Sequence, residues 1–369
     1  MQNESFPSFS SFRRTLRPAF LVAAGSFVAS ASANVVGTDA QNFNPTTNGL
    51  DFVTVQSSET LKPGVMNFGI YLNNAWNALP RFKNQPAYRD RLLGADLNFG
   101  LGLAKNWDFG ASLPSILNQS VSTQSGFSGR YSENGITEVK LNSKYRLFGE
   151  DDGGFALVGS ANFNMIGNNP YVGRNAGPTF NLEAVYDRTF GKVAAAINVG
   201  YRLRDSGAAI PGIPIRPFGN QYIASVAGNY RIDGWDAKLI AEVFGSVPTS
   251  ATKDGSDRQA SSLEALLGIK HDFTTHLAGH FGFGRELIGG LSSPDFRVYT
   301  GINFQFGPVF GRESERIEPG MEEVAVRDAE VPSEETFTLR KIPFDFNSAA
   351  LSPAARPILA ELAKYLREK

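Results

Sequence analysis

The chain has 369 residues, a formal net charge of −1 and no cysteine. The near-neutral balance removes the electrostatic case for nucleic-acid binding, and the missing cysteine excludes a disulfide framework, a thiolate metal site and a lipoprotein anchor. Phe at 29 and Gly at 38 suit twisted β-structure better than helix. No uninterrupted apolar stretch reaches the roughly 18 residues of a spanning helix, but alternating barrel strands would not show up in that test.

In chain order, residues 1–33 read as a signal peptide. Arg13, Arg14 and Arg17 supply the basic region, 19–31 is apolar and small, and Ala31-Ser32-Ala33 is an A-x-A cleavage pattern,. Residues 34–62 are polar and irregular and are expected as an N-terminal segment outside the regular structure, able to enter a barrel lumen and plug it. From 63 to 306 the pattern changes. Segments of alternating residues are separated by connections that are short and long in turn. In the first, Met66, Phe68, Ile70 and Leu72 alternate with Asn67, Gly69, Tyr71 and Asn73. Period two over such lengths means strand, with one apolar and one polar face.

Twelve such segments are expected, near 64–74, 91–104, 107–116, 135–148, 154–166, 178–189, 192–204, 220–232, 235–247, 261–273, 277–286 and 294–306. The short connections are 104–106, 149–153, 190–191, 233–234 and 274–276. Asp233-Gly234 is a two-residue hairpin signal, with Ile232 and Trp235 expected to pair across it. The long connections are rich in Gly, Ser, Asn and Pro. Short turns at one end and long loops at the other are the asymmetry of outer-membrane barrels. An even strand number beginning and ending on the short-turn side puts both termini in the periplasm. The predicted fold is therefore all-β, a transmembrane antiparallel up-and-down β-barrel of twelve strands.

A soluble β-sandwich also alternates, but its polar face is crowded with Lys, Glu, Thr and Gln, whereas the polar series here is rich in Gly, Asn and charges of both signs. The apolar series holds almost no charge at membrane depth, where one facing lipid costs about 2–4 kcal/mol. Closure also satisfies every strand edge, which an open sheet in lipid cannot do. Trp107 and Trp235, each directly after a short turn, and Trp76 at the opposite end of the first segment fit the aromatic belts of a membrane interface. Ile302, Phe304 and Phe306 end the last segment outward, in the manner of the aromatic signal read by the barrel assembly machinery.

The alternation stops after Gly307. Residues 307–335 carry nine acidic and three basic residues and read as a periplasmic linker. Within 336–369, Thr336 to Ile342 is β-like and Ala354 to Lys369 helical, with Ser352 at the N-cap and Pro353 at the first position. The string Phe344-Asp345-Phe346-Asn347-Ser348-Ala349, followed by Leu351 and Pro353, resembles the first strand and helix of the OmpA-like peptidoglycan-binding domain. FNPTTNGLDFVTVQSSETLKPG at 43–64 is also similar to OmpA-family barrel proteins. That family grips the diaminopimelate group with an Asp and an Arg further along, and the chain ends at Lys369 before any such stretch. No residue is therefore assigned that role, the domain at 336–369 is expected to be incomplete, and a truncated longer protein is favoured over a remnant tail. The best-known family member has eight strands, so its closed interior does not carry over to a wider barrel.

Charges expected to face the lumen are Asp96, Glu138, Lys140, Lys144, Arg146, Glu183, Asp187, Arg202, Arg231, Lys238, Glu242, Lys270 and Arg297. Two readings stand open: a salt-bridged interior that stabilises the barrel and blocks flow, or a pore constriction that sets ion selectivity. Of three histidines, His271 is expected outward, His276 in a turn and His280 in the lumen. None sits in an active-site motif, and the i, i+4 spacing of the last two does not converge on a strand. No enzyme activity, metal or cofactor is expected. The resemblance implies a structural outer-membrane protein tethered to peptidoglycan, the rival is a narrow channel for ions or small polar solutes, and the weakest alternative is a surface enzyme. The expected partners are outer-membrane lipid, the barrel assembly machinery and, given a complete domain, peptidoglycan; nucleic acid is not among them.

Overall fold

The computed structural model describes residues 41–50, 52–79, 89–121, 134–150, 152–169, 171–211, 215–250, 258–291 and 293–310. The expected signal peptide, nearly all of the acidic linker and the whole 336–369 fragment lie outside the described residues.

Among the described residues, twelve long antiparallel strands form one sheet: β1 (Met66–Trp76), β2 (Asp90–Ala104), β3 (Trp107–Val121), β4 (Glu138–Glu150), β5 (Gly153–Asn164), β6 (Thr179–Phe190), β7 (Val193–Arg204), β8 (Gln221–Ile232), β9 (Ala237–Pro248), β10 (Ser262–Asp272), β11 (Leu277–Ile288) and β12 (Phe296–Phe306). Each pairs with its neighbours in sequence, and β1 closes the cylinder against β12 from Met66↔Phe306 to Trp76↔Phe296. The strand number and order are those expected from the alternation. Closure removes the free edges that lipid would leave unsatisfied.

Because side chains alternate, one register fixes both faces of the wall. Phe68 sits between Phe304 and Phe99, and Ile70 between Ile302 and Leu97. These side chains, with Leu141, Leu182, Val226, Leu267 and Phe281, remain well exposed on the outside, which is the apolar band a bilayer would cover. The outward Ile302, Phe304 and Phe306 belong to it, Phe304 and Phe306 stacking at 5.8 Å. Leu97, flanked by Ile70 and Leu113, tests this face. Leu97→Arg is expected to destabilise the barrel by about 2–4 kcal/mol, read as a lower urea midpoint for unfolding from lipid vesicles; an unchanged midpoint would mean that this face does not meet lipid.

Trp76 closes β1 at the long-loop end, against Phe296 at 5.7 Å and under the Arg91 guanidinium. Trp107 opens β3 at the short-turn end, its indole N–H donating to Ser143 Oγ at 2.8 Å. Trp235 is highly exposed at that same end, but not as expected. Ile232 pairs with Ala237, so residues 233–236 make a four-residue turn and not a two-residue hairpin. Gly234 and Asp236 both take positive φ there; the Asp236 carbonyl accepts from Asp272 N–H, tying the turn to the end of β10. Trp235 thus belongs to the turn. Strand β3 also runs to Val121, past its expected end at 116, because β2 offers partners as far as Asp90 through a bulge at Leu93/Gly94.

The described residues of 41–65 do not join the sheet as a strand; they thread the lumen. A twelve-stranded barrel is wider than the eight-stranded kind that side chains alone can fill and narrower than porins that keep an open aqueous channel. The segment occupies much of that space. Phe43, Phe52, Val53 and Val55 are buried in one cluster with Tyr71, Phe244, Leu266 and Tyr299 of the wall. At its end Gly64 N–H donates to Gly102 O and Gly102 N–H to Val65 O, seating the chain on β2 just before β1 begins. A side chain at Gly102 would stand 2.1 Å from the Lys62 carbonyl oxygen, so the glycine on the inner face is what permits this close approach.

Candidate functional site: a lumen filled by the N-terminal segment

An irregular segment in a closed space must find partners for its backbone groups other than a sheet ladder. Here the wall charges supply many of them. Glu242 on β9 accepts from Val53 N–H at 2.6 Å, Thr54 N–H at 2.9 Å and the Thr54 hydroxyl at 2.5 Å. Asp187 on β6 accepts from Ser58 N–H at 2.7 Å. Asp108 on β3 accepts from Leu61 N–H and from the Asn48 amide. Of the cations, Lys144 donates to Ser57 O at 3.1 Å, Arg146 to Ser58 O at 2.9 Å, and Lys270 to Gly49 O at 2.8 Å and to Leu50 O. Anions meet N–H groups and cations meet carbonyls, so each contact is charge-assisted. Within the segment, Thr46 N–H donates to Val53 O, folding 46–53 back on itself with Gly49 at positive φ.

The start of the described segment is pinned by Arg297 on β12. Its guanidinium forks onto Glu264, Nε to Oε1 at 2.6 Å and Nη2 to Oε2 at 3.1 Å, while Nη1 donates to Gln41 Oε1 at 2.5 Å and to Asn73 Oδ1 at 2.6 Å. Arg297 and Glu264 are both 0% exposed, and the Phe43 ring lies 5.2 Å below the guanidinium carbon.

The other charges expected inward have different surroundings. Asp96 and Glu138 are buried near Lys140, and Glu138 accepts from the Asn162 amide at 3.4 Å. Arg231 and Lys238 lie opposite each other near the short-turn end and are more exposed. Lys140, Glu183 and Arg202 line one polar cavity of about 110 Å³ between the segment and the wall. Asn44, Thr54 and Gln56 face it from the segment. That volume far exceeds the ~10–15 Å³ a single water needs. The lumen is thus filled unevenly: an apolar cluster holds the segment, and a polar cavity with room for water remains beside it, Phe244 bordering both.

At the long-loop end, Arg258 gathers the connections together. It donates to the backbone carbonyls of Leu79, Gly290 and Ser293, also to Asn77 O, and pairs with Glu286 at 2.7 Å and Asp295 at 2.9 Å. Of the histidines, His280 is buried in the lumen, with Nε2 2.8 Å from the Asn303 amide nitrogen and its ring 5.3 Å from Tyr71. His271 stacks edge-on against Phe273, and His276 meets the Thr275 hydroxyl in a turn. Among the described residues no group of three His, Asp or Glu side chains could hold a metal.

Sequence reasoning missed the apolar seat of the segment. Tyr71 and Phe244 appear in the inward series, but nothing local shows that they converge on Phe43 and Phe52. The available signal was the run Phe52-Val53-Thr54-Val55 inside an otherwise polar stretch. Asp108, the third carboxylate on the segment, was also missed; it lies at the second position of β3, close to the turn.

No protein-family model matches the sequence, and no curated protein sequence does. Among solved structures, an outer-membrane channel from Pseudomonas putida F1 is similar in architecture, with a TM-score of 0.52 over 68% of this chain and 98% of that one at 16% identity. The porin NanC gives a TM-score of 0.42 at 10% identity, covering 64% of this chain and 98% of its own. The toluene transporter TodX of Pseudomonas putida gives 0.38 at 11% identity, covering 74% and 98%. At such identities the likeness establishes the fold, that of outer-membrane β-barrels, and nothing finer.

Proposed function

We propose that the protein resides in the outer membrane of a Gram-negative bacterium, with its short turns and both barrel termini in the periplasm, and acts there as a narrow channel for ions or small polar solutes. One observation carries this reading: the segment fills the lumen unequally, leaving a polar cavity flanked by Lys140, Glu183 and Arg202 on the wall and by Asn44, Thr54 and Gln56 on the segment. A barrel serving only as an anchor has no need of hydrated space beside a packed plug. The outer-membrane channel from Pseudomonas putida F1, similar in architecture, favours the same reading. The test is current through the purified full chain in a planar bilayer. Discrete conductance steps support the channel; a silent bilayer, with the barrel shown folded by its heat-modifiable mobility, overturns it.

A second role is compatible with the first. The 344–349 string and the acidic linker before it favour a tether to peptidoglycan, supplied by an OmpA-like domain of which 336–369 would be the beginning. Reading the coding sequence beyond Lys369 tests this. A frame continuing through an Asp- and Arg-bearing ligand stretch supports the tether, and the extended protein should then sediment with purified sacculi. A stop codon directly after Lys369 removes it.

A further inference from the structure

The polar cavity has a chemical signature more specific than hydration. Among the described residues, the Lys140 ammonium and the Glu183 carboxylate each line it without a hydrogen bond or a close ion pair. They contrast with Lys144, Lys270, Glu242 and Asp187, which are all engaged with the segment. Asn162, also on the lining, has a buried amide oxygen with no partner. Arg202 is oriented rather than spare, its guanidinium donating to Asn181 Oδ1 at 2.9 Å and Gln221 Oε1 at 3.2 Å. The cations whose charge reaches Glu183 are Lys140 and Arg202. The cavity thus presents charges of both signs side by side, neither of them hydrogen-bonded within the protein, with amides and hydroxyls around them. Leaving such groups unpaired is costly, and a ligand carrying the complementary pair of charges would relieve both.

We propose that this cavity binds a small zwitterion of the α-amino-acid type, its carboxylate between Lys140 and Arg202 and its ammonium on Glu183. In such a molecule the two charges are a few ångströms apart, as adjacent sites of opposite sign require. A neutral polyol would leave both wall charges without a charge-assisted hydrogen bond, and a simple anion or cation would satisfy only one of them. Binding deepens the channel reading, since the occupant would be a solute in passage, but it can be measured apart from conduction.

The experiment is calorimetric titration of the full chain in detergent with glycine, and separately with acetate, methylammonium and glycerol. Glycine should bind, acetate and methylammonium should bind at least about tenfold more weakly, the equivalent of one lost charge contact, and glycerol should give no signal. Glu183→Gln and Lys140→Met should each weaken glycine about tenfold or more. Both are near-isosteric and remove groups without a hydrogen-bond partner in the protein, so the fold should hold, which heat-modifiable mobility checks. Glycine failing to bind, glycerol binding equally well, or variants that leave glycine unaffected would each overturn the proposal. Bilayer conductance in potassium chloride on the same preparation separates the two readings. Conduction without glycine binding sinks the zwitterion site alone, and binding without conduction sinks the channel alone.

Discussion

Deleting residues 41–62 should raise the single-channel conductance of the barrel severalfold. The twelve ladders close through β1 and β12 and none of them includes this segment, so the cylinder should survive its loss. What goes is the filling. Phe43, Phe52, Val53 and Val55 leave the cluster around Tyr71 and Tyr299, and Glu242, Asp187, Lys144 and Lys270 exchange backbone partners for water. An interior of this strand number, no longer filled, should hold a continuous aqueous path. Stability should fall as well, because burying these apolar side chains contributes about 1.5–3 kcal/mol each. The measurement is conductance of the deleted and intact chains at matched salt. Equal conductance would mean that ions bypass the segment or that the lumen is closed elsewhere, and the role given to the segment would be wrong.

The second large effect concerns Arg297. Replacing it with Ala should destabilise the folded barrel by about 3–5 kcal/mol, the usual cost of leaving a buried charge without its partner. Glu264 would remain fully buried with its bidentate partner gone, and Gln41 and Asn73 would each lose a donor. The cost should therefore come mainly from the stranded carboxylate and not from the lost attraction. That explanation has its own check. The double variant Arg297→Met, Glu264→Met should recover much of the lost stability, since two apolar side chains of similar length in place of a buried ion pair are often neutral. Denaturant unfolding of the three proteins measures this. A double variant no better than Arg297→Ala would show that the pair stabilises by more than mutual neutralisation. Because Gln41 is held by the same guanidinium, both variants should also loosen the start of the lumen segment, seen as faster hydrogen exchange from residue 41 to 46.

The structure explains which features were legible in the residue order alone. Alternation is local: Phe68, Ile70 and Leu72 declare an outward face without reference to any other strand, and Gly191 or Asn106 marks a tight turn by its own preference for positive φ,. The strands, their up-and-down order, the lipid-facing band and the inward placement of the charged series all follow from such short-range patterns. Where a turn is shaped by contacts from elsewhere the local reading fails. Residues 233–236 form a longer turn than Asp233-Gly234 suggests, tied to β10 through Asp236 and Asp272.

The lumen is the larger case. Residues 41–65 have no period because no sheet imposes one, and their partners, Glu242, Asp187, Lys144, Arg146, Lys270 and Asp108, come from five strands spread over about half the chain. From sequence all of these charges but Asp108 read only as inward, and whether they pair with each other, line a pore or hold something could not be told from their spacing. That Glu242 grips a backbone while Glu183 stands unengaged beside a cavity depends on where the segment lies against the wall. The tertiary structure decides this, because the barrel brings together residues that no local pattern connects. Period-two alternation needs only neighbours along the strand, so the residue order alone fixes a twelve-stranded barrel with a charged interior; the closed cylinder, by bringing distant charges and aromatics onto one irregular segment, sets which part of that interior is filled and which part stays empty.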